Sequence, residues 1–157
     1  MTDIISTHVD SYAYRWEGGK PLYLLLKRNE EAVYGHLWQG VAGKMQGGET
    51  AVETVLRELK EETGLDPNRI FVVDHVSLFY QSYRDRLHVV PVFGVEVESK
   101  EVRLSKEHTE FRWLSFDDAF ARLSWTQQRE SIAVLHDMLL KRDERVKWSE
   151  VNLEKYA

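Results

Sequence analysis

The sequence contains no cysteine. That absence removes disulfides, thiolate metal sites and a cysteine nucleophile together, and it fits a reducing compartment. Only three prolines occur, and no Pro/Gly/Ser-rich stretch marks a linker, so the 157 residues are read as one domain. No apolar run approaches the ~20 residues needed to span a bilayer. The opening MTDIISTHVD also lacks the basic and apolar segments of a secretion signal. The chain is therefore expected to be soluble and cytoplasmic. Basic residues are not in excess either: 21 Lys and Arg stand against 26 Asp and Glu, a net charge of -5, which leaves no electrostatic footprint for duplex DNA or RNA. An anionic small molecule stays open as a partner, because a bound divalent cation reverses the local field.

What is present is a globular balance, with 43% hydrophobic and 30% charged residues, enough for a full core. Residues Thr7 to Trp16 and Pro21 to Arg28 read as strands joined by a turn at Glu17-Gly18-Gly19-Lys20. His36 to Ala42 is a third β-like run, ended by Gly43. Thr50 to Thr63 predicts a helix, with Val52, Val55, Leu56 and Leu59 at the i, i+3, i+4, i+7 spacing of one apolar face. Gly64 stands where a left-handed C-terminal cap belongs. Arg69 to Tyr80 and Leu87 to Val97 predict two long strands, the second apolar on both faces and so covered on both sides. Glu110 to Leu114 adds a short strand, and Phe116 to Leu123 a short helix. Thr126 to Lys141 is the last helix, with Ile132, Leu135, Met138 and Leu139 inward, and Ser124 and Gln127 at capping-box spacing before it. These elements predict a mixed β-sheet between helices, an α/β fold. The segment from Asp143 to Ala157 has no assigned place.

Chemistry concentrates in GKMQGGETAVETVLRELKEETGL, Gly43 to Leu65. On the predicted helix Glu58 and Glu62 lie one turn apart and Glu61 lies at i, i+3 from Glu58. The three carboxylates thus share an arc of roughly 100° beside the apolar face. Like charges at that spacing repel by a few tenths of a kcal/mol per pair, and by more when half-buried, unless a cation neutralises them. Hard oxygen donors without nearby His or Cys favour Mg²⁺ or Mn²⁺ over zinc. Arg57 is spaced to pair with Glu61, or with Glu49 from the preceding loop. The competing reading of such a helix is a solvated acidic face.

The loop decides between them. Gly43, Glu49, Arg57, Glu58, Glu61, Glu62 and Gly64, with Leu59 and Leu65 at the apolar positions, fit G-x5-E-x7-R-E-U-x-E-E-x-G-U throughout. Seven fixed identities at about 6% each make a chance match on the order of 10⁻⁸ to 10⁻⁹ per register. The sequence resembles the Nudix hydrolases. LYLLLKR at Leu22 to Arg28 and EHTEFRWL at Glu107 to Leu114 fall in family-like order around the box. The resemblance implies a Nudix-type α/β/α sandwich and Mg²⁺-dependent hydrolysis of a diphosphate linkage in a nucleoside-diphosphate-linked substrate. It also implies metal ligation by Glu58 and Glu62, by Glu61 directly or through water, and by the Gly43 carbonyl. Glu49 and Arg57 then orient loop and helix. The general base is left between Glu58 and Glu61. The family commonly adds a distant acid, for which Glu107 is the candidate and Glu110 the alternative.

Three further residues are candidates for substrate: Trp38 in HLWQGVAGK for stacking on a base, and Lys44 and Arg28 for phosphate. The ordinary roles are core for Trp38 and solvated cations for the other two. Trp125 to Arg129 opens the last helix, whose free N–H groups suit either an anion or a simple cap. The six histidines show no ligand spacing and read as structural or surface. WQGVAGKMQGGE, EHTEFRWL and LSWTQQRESI look most like the branch acting on nucleoside or dihydroneopterin triphosphates, giving monophosphate and pyrophosphate. ADP-ribose, dinucleoside polyphosphates and a capped RNA end stay open, as does a non-catalytic nucleotide-sensing module. The related isopentenyl diphosphate isomerase chemistry uses a cysteine, which this chain lacks. The oligomeric state, a homodimer included, is open.

Overall fold

The computed structural model describes residues 1–142 and 144–157. Eight strands form one mixed sheet: β1 Asp3–Ile5, β2 His8–Glu17, β3 Lys20–Arg28, β4 Trp38–Gln39, β5 Val41–Lys44, β6 Arg69–Gln81, β7 Arg86–Glu96 and β8 His108–Leu114. Helix α1, Ala51–Thr63, covers one face. Helices α2 Phe116–Arg122, α3 Thr126–Lys141 and α4 Glu144–Trp148 lie on the other. The result is the expected α/β/α sandwich. Among the described residues no helix is long and apolar enough to cross a membrane.

Strand β2 organises the sheet. It runs parallel to β7 through Asp10–Val92 to Tyr14–Glu96 and antiparallel to β3 through Tyr14–Tyr23 to Glu17–Lys20. The β2–β3 turn is Gly18-Gly19, both at positive φ (58° and 79°), a pair of left-handed positions that favours glycine. Beyond Tyr14 the partner changes: His8 to Ser11 pair with β5, while β3 turns to β8 and β4. β3 and β5 therefore pair with different stretches of one strand, β5 towards the N-terminal end of β2.

Alternation along β2 and β3 splits the core. Tyr12, Tyr14, Tyr23 and Leu25 pack with Ile132, Leu135, Met138 and Leu139 of α3. Val9, Ala13, Leu24 and Leu26 pack with Val55 and Leu59 of α1 and with Phe93, Val95 and Val97. Each fully buried side chain of this size contributes about 1.5–3 kcal/mol by leaving water. The two-sided apolar pattern of β7 is explained by cover on both faces.

Four sequence expectations change. β1 was not anticipated; it pairs in parallel with β7 at Arg86 to His88. The single run from His36 to Ala42 is two short strands with different partners, and Gly43 lies inside the second. Ser124 does not cap α3: the N-cap is Trp125, without a side-chain hydrogen bond. From residue 144 onward the tail forms α4 and then a strap round the β6 edge. Val146 joins the α3-side core, Val72 N–H donates to the Ser149 carbonyl (3.1 Å), Val151 N–H donates to the Ile70 carbonyl (2.9 Å), and Val151 and Leu153 pack on the α1 side.

Candidate active site

The loop from Lys44 to Thr50 delivers α1 to the sheet, and its caps are local. The Thr50 side chain accepts from Glu53 N–H while the Glu53 carboxylate accepts from Thr50 N–H, a reciprocal capping box. At the far end Gly64 adopts φ 72° and its N–H donates to the Lys60 carbonyl (2.9 Å). These ends fix the rotation of the helix, so Val55 and Leu59 enter the core and Glu58 and Glu62 fall on the flank beside β5.

Arg57 ties loop to helix. Its Nε and Nη2 donate to the two oxygens of Glu49 (2.6 and 2.9 Å), Nη2 also donates to the Lys44 carbonyl (3.0 Å), and Nη1 donates to Glu58 (2.7 Å) and Glu61 (3.2 Å). The bidentate fork is the stronger form of such pairing. It holds the Glu49 carboxyl down at about 2, chiefly through the Arg57 hydrogen bonds. Arg57 thus meets both partners that spacing offered it.

The carboxylates differ in exposure, and that separates their roles. Glu62 is 3% exposed and one of its oxygens, Oε2, is buried without a hydrogen-bond partner. Its pKa is pushed well above the ordinary carboxylate range, first by burial, then by Glu107 and Glu58 beside it. The Glu58 side chain is 13% exposed, and a Cβ at Gly43 would overlap its carboxylate, so glycine is what lets β5 and Glu58 approach. The Glu61 side chain is 58% exposed and touches Arg57.

A cavity of about 400 Å³ brings together Gly43, Glu58, Glu62 and Glu107 with Lys44 and Arg28. Glu61 is not among its lining residues. Glu107 lies in the turn just before β8 and lines the cavity with Glu58 and Glu62 of α1, whereas Glu110 is held by Arg112 (2.7 Å) and Lys27 (3.8 Å). Arg28 reaches the cavity although its Nε donates to the Val33 carbonyl (3.0 Å). Trp38 lies elsewhere. Strand alternation sends Gln39 into the cavity and Trp38 to the opposite face, against the α3-side core, with the Arg122 guanidinium 4.8 Å from its ring centre.

Two cavity residues, Gln39 and His8, and the buried His108 beside them escaped sequence reading. Gln39 and His108 Nε2 are hydrogen-bonded (2.9 Å), and His108 is buried with its pKa lowered to about 4 by burial. His108, Glu62 and Glu107 have ligand atoms within 4.8 Å of one another. His8 enters from β2, against His88 at 5.4 Å between ring centres. Adjacency to Glu107 was the one available signal for His108; nothing local marked Gln39 or His8.

The donor set fits a divalent cation. A buried carboxylate oxygen without a partner, between two further carboxylates, is costly unless a cation compensates it. Oxygen donors dominate, as Mg²⁺ and Mn²⁺ prefer.

Comparison with known proteins agrees with this geometry. The NUDIX domain model matches residues 7–135. The asymmetrical bis(5'-nucleosyl)-tetraphosphatase of Rattus norvegicus is 31% identical over 121 residues, covering 74% of this chain and 80% of that protein. Among solved structures, a binary complex of a C. elegans Ap4A hydrolase aligns with TM-score 0.74 at 19% identity, covering 87% of this chain and 98% of the other. The E. coli dihydroneopterin triphosphate pyrophosphohydrolase aligns with TM-score 0.67 at 19% identity, covering 85% and 94%. With the box, the sandwich and the acidic cavity in place, this chain belongs to the Nudix hydrolases, enzymes that cleave diphosphate linkages in nucleotide-type substrates.

Proposed function

We propose that the chain hydrolyses a nucleoside or pterin triphosphate to the monophosphate and pyrophosphate, with Mg²⁺ or Mn²⁺ held by Glu58, Glu62, Glu107 and the Gly43 carbonyl. The observation that carries this reading is the meeting, in one cavity, of those acids with Arg28 and Lys44. The acids suit a metal and the cations suit the far end of a polyphosphate chain. A metal held there would supply Lewis-acid chemistry at the phosphoryl group and a more acidic water. Glu58 lines the cavity and Glu61 does not, so the reading gives Glu58 the general-base role and leaves Glu61 to steady Arg57. Arg57 and Glu49 position Glu58, and Lys44 and Arg28 offset charge on the departing phosphate.

A second reading, asymmetric cleavage of a dinucleoside tetraphosphate, is favoured by the similarity to the rat tetraphosphatase. The two are separated by a panel of nucleoside triphosphates, dihydroneopterin triphosphate, dinucleoside polyphosphates and ADP-ribose, assayed with Mg²⁺ and resolved by ion-exchange chromatography. Triphosphates giving monophosphate and pyrophosphate are the expected result. Preference for a dinucleoside tetraphosphate moves the assignment to the second reading. Glu62→Gln is expected to lower turnover by several orders of magnitude with the fold intact, since a ligand charge is lost. Full activity of that variant, or of wild type in excess chelator, refutes the metal site.

A further inference from the structure

At the other end of β2 from the acidic cavity lies a second concavity, about 570 Å³, between the ends of β2 and β7, the start of β6, the end of α3 and α4. Tyr14 lines it. This side chain is fully buried, and its hydroxyl has no hydrogen-bond partner. A buried, unpaired hydroxyl costs roughly 1–3 kcal/mol, and Phe would fill the same space without that cost. Trp16, two residues on and on the same side of the strand, stands beside it with ring centres 6.1 Å apart. The Trp16 indole is fixed, because Nε1 donates to Glu96 (2.8 Å), yet the residue is 38% exposed.

The charges around this cavity are not all spent. Arg69 is paired with Glu150, and Glu96 accepts from Trp16 and Asn68. Arg142 and Lys147 line the cavity and have no ion-pair partner among the described residues; neither has either lining acid, Glu96 and Glu144, there. Arg142 also sits at φ 47°, the left-handed position after α3 that glycine would occupy more cheaply. An arginine kept at that cost faces a site with a second cation unpaired among the described residues, Lys147, an aromatic wall from Trp16 and an apolar floor from Met138 and Val146.

We propose that this cavity is a second ligand site, separate from the metal cavity, for a planar aromatic group bearing one anionic substituent, the chemistry of a nucleoside monophosphate. The ring lies against Trp16, the Tyr14 hydroxyl donates to the ligand, and Arg142 and Lys147 hold the anion. Burial and the nearby Glu96 push the Tyr14 pKa up, so the hydroxyl remains a donor at neutral pH.

The test is a titration of the ¹⁵N-labelled full chain in chelator with AMP, adenosine and inorganic phosphate. The Trp16 indole N–H reports on this cavity and the Gly43 amide on the metal cavity. The expected result is a saturable Trp16 shift with AMP at millimolar concentration or below, weaker with adenosine or phosphate alone. Lys147→Ala is expected to weaken AMP binding roughly tenfold, about 1.4 kcal/mol. Tyr14→Phe, which removes only the hydroxyl, is expected to weaken it severalfold without loss of melting temperature. Absence of a saturable Trp16 shift, AMP response confined to Gly43, or wild-type affinity in both variants overturns the proposal.

Discussion

Asp10 carries a titration separable from the metal cavity. Its carboxylate accepts from the Tyr12 hydroxyl (3.2 Å) in the middle of β2, and burial raises its pKa from 3.8 to about 7 against the opposing pull of that hydrogen bond. Between those two values the folded chain binds a proton that the unfolded chain has released. Stability therefore falls as pH rises. The contribution is present in full below about pH 4 and is lost by the time pH passes 7. Asp10→Asn removes the titration. Urea midpoints at acidic and alkaline pH are expected to show wild type losing ground to the variant across that window. Parallel curves would mean that Asp10 does not titrate there.

At the scale of elements, the junction of β5 and α1 builds the acidic cavity, and Gly43 is its tightest point. Gly43→Ala drives a methyl group into the Glu58 carboxylate. Turnover is expected to fall by two orders of magnitude or more, because misplacing a catalytic group by about 1 Å can cost 10²-fold. Far-ultraviolet dichroism should stay unchanged, since α1 keeps both caps. Undiminished turnover would show that Glu58 need not approach β5.

This junction was legible in the sequence because its signals are short-range. Thr50, Glu53 and Gly64 announce the ends of α1, and the apolar spacing announces its inward face. β1 was not legible, since three residues with no local pattern pair with a strand more than eighty residues away. The facing of Trp38 followed the same rule. Proximity to the box placed it near the metal, but the register of β4 on β3 turns it to the opposite layer. Glu107 was named through family order, not chain geometry, and His108 beside it passed as structural. What the sequence withholds is chiefly which face a short strand presents, a property fixed by distant partners.

For the molecule as a whole, the sheet separates two apolar layers that share few side chains, and the strap of Ser149 to Leu153 passes from one to the other round the β6 edge. Its hydrogen bonds to Ile70 and Val72 stand at the sheet margin, where fraying ordinarily begins. Because Val146 anchors one end in the α3-side core and Leu153 packs the other end on the α1 side, releasing the strap disturbs both layers together. Amide hydrogen exchange reads this directly. Val72 and Val151 N–H groups are expected to exchange as slowly as amides in the middle of β7, and replacing Val146 with Ala should speed exchange of both while also speeding that of Leu59 in α1. The margin of this sheet then behaves kinetically as interior, and the two layers open as one cooperative unit.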